Sequence, residues 1–181
     1  MLTTRPGKRD KVGFFNTDLI YDILDQGDAI GNLVYDKKNL RGSLTVGDQT
    51  YTVARTTDRQ DERLYQALIR MMTRAEKPPA NPIALKNAAG ETLALAERTK
   101  HGFAVSRADE SFAFRKPSPM SRPFHLYRLD ENQSLGSVGQ QKFFSRTLTM
   151  NLPPEFDPAF QAFLLVLLLN LTMEILEKTV N

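Results

Sequence analysis

The chain of 181 residues contains no cysteine. That absence excludes disulfides, thiolate metal sites, S-acylation and cysteine nucleophiles, and it leaves the compartment open, with the cytosol as the default reading. Histidine is scarce too. His101 and His125 are the only two, and neither stands in a His-x-His or HExxH spacing, so both read as structural residues. No G-x-S-x-G elbow marks a hydrolase, and no GxGxxG or GxxxxGK loop cradles a phosphate. The expectation from these gaps is a protein that is not an enzyme, with no catalytic residue, metal or cofactor. The opening MLTTRPGKRDKVGFF lacks the apolar run of a secretory signal. Residues 1–14 read as a basic, flexible lead-in and residues 15–181 as one domain. Asn132-Gln133-Ser134 and Asn170-Leu171-Thr172 match the glycosylation sequon, but the second falls in an apolar helix and the first needs a secretory route.

Long apolar runs are also lacking, with one exception near the C-terminus. The stretch DPAFQAFLLVLLLNLTMEILEK, about residues 157–178, opens on Asp157 as an N-cap and Pro158 at the first helical position. Its uninterrupted apolar part, Ala162 to Leu169, is shorter than the roughly 18 to 20 residues of a bilayer span, and Asn170, Thr172 and Glu174 interrupt the remainder of the helix. Apolar side chains point in nearly every direction around its wheel. Such a helix has no wet face and must be surrounded, either by lipid or by the rest of its own domain.

The rest of the chain is a series of short strand-like segments separated by turn residues. They run Leu19 to Leu24, Ile30 to Tyr35, Ser43 to Val46, Tyr51 to Arg55, Ile83 to Lys86, Thr92 to Arg98, Phe103 to Arg107, Ser111 to Arg115, Phe124 to Leu129, Leu135 to Gln140 and Phe144 to Leu152. Gly47-Asp48 is a hairpin signal. Between the fourth and fifth segments, Glu62 to Arg74 carries Leu64, Leu68, Met71 and Met72 at helical spacing, which predicts a surface helix. Alternation gives each strand one dry and one wet face: Leu93 and Leu95, Phe103 and Val105, Phe112 and Phe114, and Leu148, Met150 and Leu152 on the dry side, with Ser145, Thr147, Thr149 and Asn151 on the wet one. About eleven or twelve such strands, closed on themselves, enclose a space that needs a filler. The fold expected is mainly β, a closed antiparallel barrel of about 12 strands enclosing the C-terminal hydrophobic helix, with one extra surface helix. A helix packed on a sandwich is the alternative.

An internal echo runs alongside. Ile20 to Leu33, IYDILDQGDAIGNL, resembles Leu126 to Val138, LYRLDENQSLGSV, and Ile83 to Leu95 is a fainter third copy. With hairpins that lead into Ile30-Gly31 or Leu135-Gly136, and the ending LPPEFDPAFQAFLLVLLLNLTMEIL, the chain resembles the tubby-like superfamily: the tubby C-terminal domain, the phospholipid scramblases and, closest in shape, the LURP-one-related proteins. The resemblance implies a twelve-stranded barrel around a central helix. Tubby proteins bind phosphoinositides and tether to membranes. No match to tubby's C-terminal signature is present here, so none of its headgroup-binding residues carries over, and the Cys-rich and Pro-rich segments of scramblases are missing.

Net charge is +3, compatible with an anionic partner. Basic residues cluster at Arg5, Lys8, Arg9 and Lys11, at Lys37, Lys38 and Arg41 around a hairpin tip, at Arg115, Lys116 and Arg122 beside a Pro-containing loop, and at Arg63, Arg70 and Arg74 on the amphipathic segment. Lys37, Lys38, Arg41, Arg115, Lys116 and Arg122 are the candidate contacts to an anionic lipid headgroup or membrane surface. That reading makes the protein a cytoplasmic, membrane-peripheral tethering or regulatory module. The alternative is an intracellular protein-interaction scaffold with incidental basic clusters. Nucleic acid ranks below lipid, because the Phe residues fall on dry faces rather than interleaving with exposed basic ones.

Overall fold

A computed structural model describes residues 1–7, 18–36, 38–56, 82–129, 133–140 and 147–180, with side chains in the last segment described as far as Thr172. The predicted helix at Glu62 to Arg74 lies outside the described residues. The elements are β1 (Leu2–Pro6), β2 (Leu19–Asp25), β3 (Asp28–Asp36), β4 (Arg41–Val46), β5 (Gln49–Arg55), β6 (Ile83–Asn87), β7 (Thr92–Thr99), β8 (Gly102–Arg107), β9 (Glu110–Arg115), β10 (Phe124–Arg128), β11 (Ser134–Gln140), β12 (Leu148–Asn151) and α1 (Pro158–Val180). Each strand pairs antiparallel with its sequence neighbours, and β1 pairs with β12, so the sheet is a closed twelve-stranded barrel.

The closing strand corrects one expectation. Leu2–Pro6, part of the expected flexible lead-in, is β1, paired with β2 along five positions and with β12 at Leu2↔Met150 and Thr3↔Thr149. Residues 8–14 lie outside the described set. The stretch escaped alternation because its inward positions are Leu2 and Thr4, and threonine reads as polar. Thr4 is nevertheless fully buried, since its hydroxyl accepts a hydrogen bond from the Leu148 amide at 3.0 Å and donates to the Leu148 carbonyl at 3.5 Å. The hydroxyl lengthens a seam that has few backbone pairs.

The interior is one continuous apolar cluster of inward strand residues and helix. Every residue from Ala159 to Leu171 is buried, whichever way it points. α1 touches β4 and β5 on one side of the ring and β11 and β12 on the other. It therefore runs through the barrel rather than along it, which settles the choice of surroundings in favour of protein. Among the described residues, no helix is long and apolar enough to cross a membrane. The polar interruption at Asn170 is absorbed inside, where the Tyr35 hydroxyl donates to its Oδ1 at 3.1 Å and its Nδ2 donates to the Val166 carbonyl at 3.0 Å.

A second correction concerns β7. Ala94 and Ala96 face the interior, opposite Leu85 and Val105, whereas Leu93 is exposed and Leu95 is buried on the outer wall between Ala84 and Ser106. Leu-Ala-Leu-Ala has no polar member, so residue type does not distinguish its two faces. Only cross-strand register fixes which face is inward.

The internal echo has a structural cause. Its three copies are the hairpins β2–β3, β6–β7 and β10–β11, four strands apart around the ring. Each carries a register shift directly after an inward residue paired with a small one: Ile23 with Gly31, Leu85 with Ala94, Leu126 with Gly136. A bulge tightens the local twist and brings neighbouring backbone close. A Cβ on Gly31 would stand 2.1 Å from the Thr45 carbonyl oxygen, and one on Gly136 2.2 Å from that of Asn151. The repeated Ile-Gly and Leu-Gly pairs mark these close approaches.

Candidate basic rim of the barrel

In an up-and-down barrel, alternate turns fall at alternate ends, so the element order sorts every turn by its end. The turns after β2, β4, β6, β8 and β10 lie at the end where α1 begins; those after β3, β7 and β9 lie at the other. The first end carries Asp25 and Asp28, Asp48, Glu91, Asp109 and Glu110. The second carries Lys38, Arg41, Lys100, Lys116 and Arg122. Among the described residues, carboxylates predominate at the first rim, where Arg107 and Arg128 also lie, and basic side chains at the second, where Asp18 and Asp36 also lie.

The acidic rim is sealed. Asp157 Oδ1 accepts the Phe160 amide at 2.9 Å, which caps α1 as its sequence predicts, and Oδ2 pairs with Arg107 at 2.7 Å. The Arg107 guanidinium lies 5.0 Å over the Phe160 ring and 5.7 Å over that of Phe156. Phe112 meets Phe156 edge-on at 5.6 Å. Arg128 and Glu110 pair at 2.9 Å beside them. Desolvation, followed by the charge of Asp157, raises the pKa of Tyr51, which donates its hydroxyl hydrogen to Gln49.

At the basic rim, the described members of the two candidate clusters come together on one end, and on opposite sides of it. β3–β4 and β9–β10 are six strands apart in a ring of twelve. With strands about 4.8 Å apart and tilted by about 40°, such a ring is roughly 24 Å across. A flat surface laid on this end meets both clusters; a single small headgroup does not.

The individual residues differ. Lys38 is exposed, and Lys37 lies outside the described residues. Arg41 pairs with Asp36 at 3.3 Å, and Asp36 also accepts Asn39 Nδ2 at 2.6 Å and the Asn39 amide at 3.0 Å. The Asn39 bonds, with Arg41 behind them, hold the Asp36 carboxyl below its ordinary pKa. Arg115 lies along the outer wall, its guanidinium 4.6 Å over the Tyr127 ring, so it faces sideways rather than off the rim. Lys116 sits 5.7 Å over Phe124, and Arg122 is exposed on the loop 116–123. That loop is held in shape by Pro117, Pro119 and Pro123, by the Ser121 amide donating to Ser118 at 3.0 Å, and by the Ser121 hydroxyl donating to Pro123 at 3.3 Å.

No family model, curated protein or solved structure matches this chain. The site rests on its geometry.

Residue-by-residue reading passed over Lys100 and Met120. Lys100 occupies the β7–β8 turn, which Arg98 closes by donating to the Thr99 and Gly102 carbonyls at 2.8 Å each. Met120 projects from the middle of loop 116–123, 92% exposed. Sorting the turns by parity would have found both. The basic residues at 8–11 and at Arg63, Arg70 and Arg74 lie outside the described residues.

A cavity of about 400 Å³ opens on the outer wall of β3–β5 near this rim, lined by Asp18, Val34, Asp36, Arg41, Ser43 and Thr52 among others. Its charged lining residues are Asp18, Asp36 and Arg41, and Arg41 pairs with Asp36. His125 is structural, its Nδ1 2.8 Å from the Ser134 hydroxyl and its ring stacked on Tyr127.

Proposed function

We propose that this protein is a non-enzymatic, tubby-like module that docks on anionic membrane surfaces through the basic rim of its barrel. The observation that carries the reading is the arrival of both basic clusters at one end, away from the acidic rim. What supports the kinship is the twelve-stranded barrel around a C-terminal helix, together with the glycines of the echoed hairpins.

Each Lys or Arg near an anionic leaflet contributes on the order of 1 kcal/mol. Lys38, Lys100 and Lys116, with Arg41 discounted for its pairing to Asp36 and Arg122 for a contact of its own, then give about 3 kcal/mol, which corresponds to an affinity of about 6 mM. Docking by charge alone is thus weak, reversible and salt-sensitive.

Co-sedimentation with phosphatidylserine-containing vesicles tests the proposal. Binding at low salt that fades at physiological salt, and that is lost when Lys38, Lys100, Lys116 and Arg122 are changed to Glu, is the expected result. Failure to bind at low salt, or binding indifferent to those changes, refutes it. Capture of a protein partner that ignores the same changes would favour the scaffold reading instead.

A further inference from the structure

The weakness of a purely electrostatic contact asks for a second contribution, and the rim carries a candidate. Met120 is the most exposed of the large apolar side chains among the described residues, at 92%. A lone exposed apolar side chain on a protein surface is ordinary. This one is not on a flat wall. It stands at the tip of a proline-braced loop whose shoulders are Lys116 and Arg122, at the basic end of the barrel.

We infer that the loop 116–123 is a shallow insertion element: Met120 enters the headgroup–acyl boundary of an anionic bilayer while Lys116 and Arg122 meet the headgroups around it, and the barrel stands end-on with its acidic rim away from the membrane. The inference deepens the proposed function and rests on it. Three observations support it independently of any resemblance. The side chain is already exposed, so insertion costs no contact of the folded protein. The prolines at 117, 119 and 123 and the Ser121 bonds hold the loop shape beforehand, so little ordering entropy is lost on docking. The charge division between the rims sets the direction, because Asp25, Asp28, Asp48 and Glu91 at the far end would be repelled by the same surface that attracts Lys116 and Arg122. Apolar burial of this kind adds to charge rather than replacing it, which is the two-signal arrangement that peripheral anchoring requires.

The absence of native cysteine makes the test clean. Two single-cysteine variants, Met120→Cys at the loop tip and Asp48→Cys at the far rim, are labelled with the environment-sensitive NBD fluorophore. Each is mixed at low salt with vesicles of phosphatidylcholine alone or with phosphatidylserine, and sedimentation is read in the same tubes. The label at position 120 should shift to the blue, brighten with anionic vesicles and be quenched by spin-labelled lipid, while the label at position 48 stays unchanged. Unlabelled Met120→Ser should bind the anionic vesicles about threefold to tenfold more weakly than the parent, with the salt dependence kept. If the protein sediments with the vesicles but the label at 120 does not respond, insertion is refuted and the basic-rim reading stands. A response from the label at 48 refutes the end-on orientation. If the parent protein does not sediment at low salt, the basic-rim reading fails and takes this inference with it.

Discussion

Enclosure of α1 by the barrel predicts a specific steric conflict at Gly42. This glycine lies in β4 between Tyr35 and Val53, and a Cβ placed on it would stand 3.0 Å from Val166 Cγ2 and 3.3 Å from Leu33 Cδ1. Two opposing effects decide the outcome of Gly42→Ala. Replacing a strand-interior glycine by alanine gains roughly 0.5–1 kcal/mol from backbone entropy. Forcing a methyl into a filled interior costs roughly 1–3 kcal/mol. Val166 is β-branched and lies inside a helix, so its χ1 has essentially one well and the methyl cannot swing aside. Crowding should win, and the variant should be less stable by about 0.5–2 kcal/mol. Val166→Ala alone should destabilise by opening a cavity. The double variant puts a methyl back where one was removed, so it should be more stable than the sum of the two single losses by about 0.5–2 kcal/mol. Urea unfolding followed by far-UV circular dichroism measures all four corners of the cycle. A Gly42→Ala protein as stable as the parent, or losses that add to within about 0.4 kcal/mol, would show that the Val166 face of the helix does not lie against β4.

Three further outcomes each turn on a single side chain. Tyr35→Phe leaves Asn170 Oδ1 without the hydroxyl that satisfies it inside the barrel, and equilibrium unfolding should show a loss of roughly 1–3 kcal/mol. Asp157→Ala removes the cap of α1 and should cost about 1 kcal/mol, whereas Asp157→Asn keeps an acceptor for the Phe160 amide and should lose less; equal losses would mean that the Arg107 pair, not the cap, is what matters. Glu97 has one carboxylate oxygen, Oε2, buried without a partner, and desolvation raises its pKa against the opposing pull of Arg55. A carboxyl whose folded pKa is raised supports the fold while protonated and loses that contribution as pH rises from the ordinary carboxylate range through the raised value. Glu97→Gln should therefore melt higher than the parent at about pH 8, with the gap closing toward about pH 4, and a gap that widens on acidification would reverse the assignment.

The barrel and its helix were legible because each obeys a strong, simple pattern. Alternation at Phe112 and Phe114 or Leu148 and Met150 carries large apolar residues on one side and polar or small ones on the other. The helix from Ala159 to Leu171 admits no wet face at all. What escaped did so where polarity and burial part company. Thr4 is buried because the β1–β12 seam gives its hydroxyl two backbone partners, and those partners are distant in sequence, so nothing near Thr4 announces them. Ala94 and Ala96 are buried beside larger leucines because cross-strand register, not residue size, decides which face is inward.

The rim is readable from the strand order although its basic residues are scattered along the chain. An antiparallel closed barrel turns at alternate ends, so knowledge of the strand order alone assigns Lys38, Lys100 and Lys116 to one end and Asp25, Asp48, Glu91 and Asp109 to the other, without any side-chain position. An error of one strand at the N-terminus does not disturb this, because it leaves the relative parity of every later turn unchanged. The segregation also bears on where function can reside. Among the described residues the interior is filled by α1 and the inward strand side chains, and Arg107 lies over Phe156 and Phe160 where the helix begins. The wall's cavity is lined by Asp18, Asp36 and Arg41, and carboxylates predominate among the described residues of the rim where α1 begins. On the proposed reading an anionic partner meets the rim where, among the described residues, Lys38, Lys100 and Lys116 gather, and Met120, the most exposed of the large apolar side chains described, stands at that same rim.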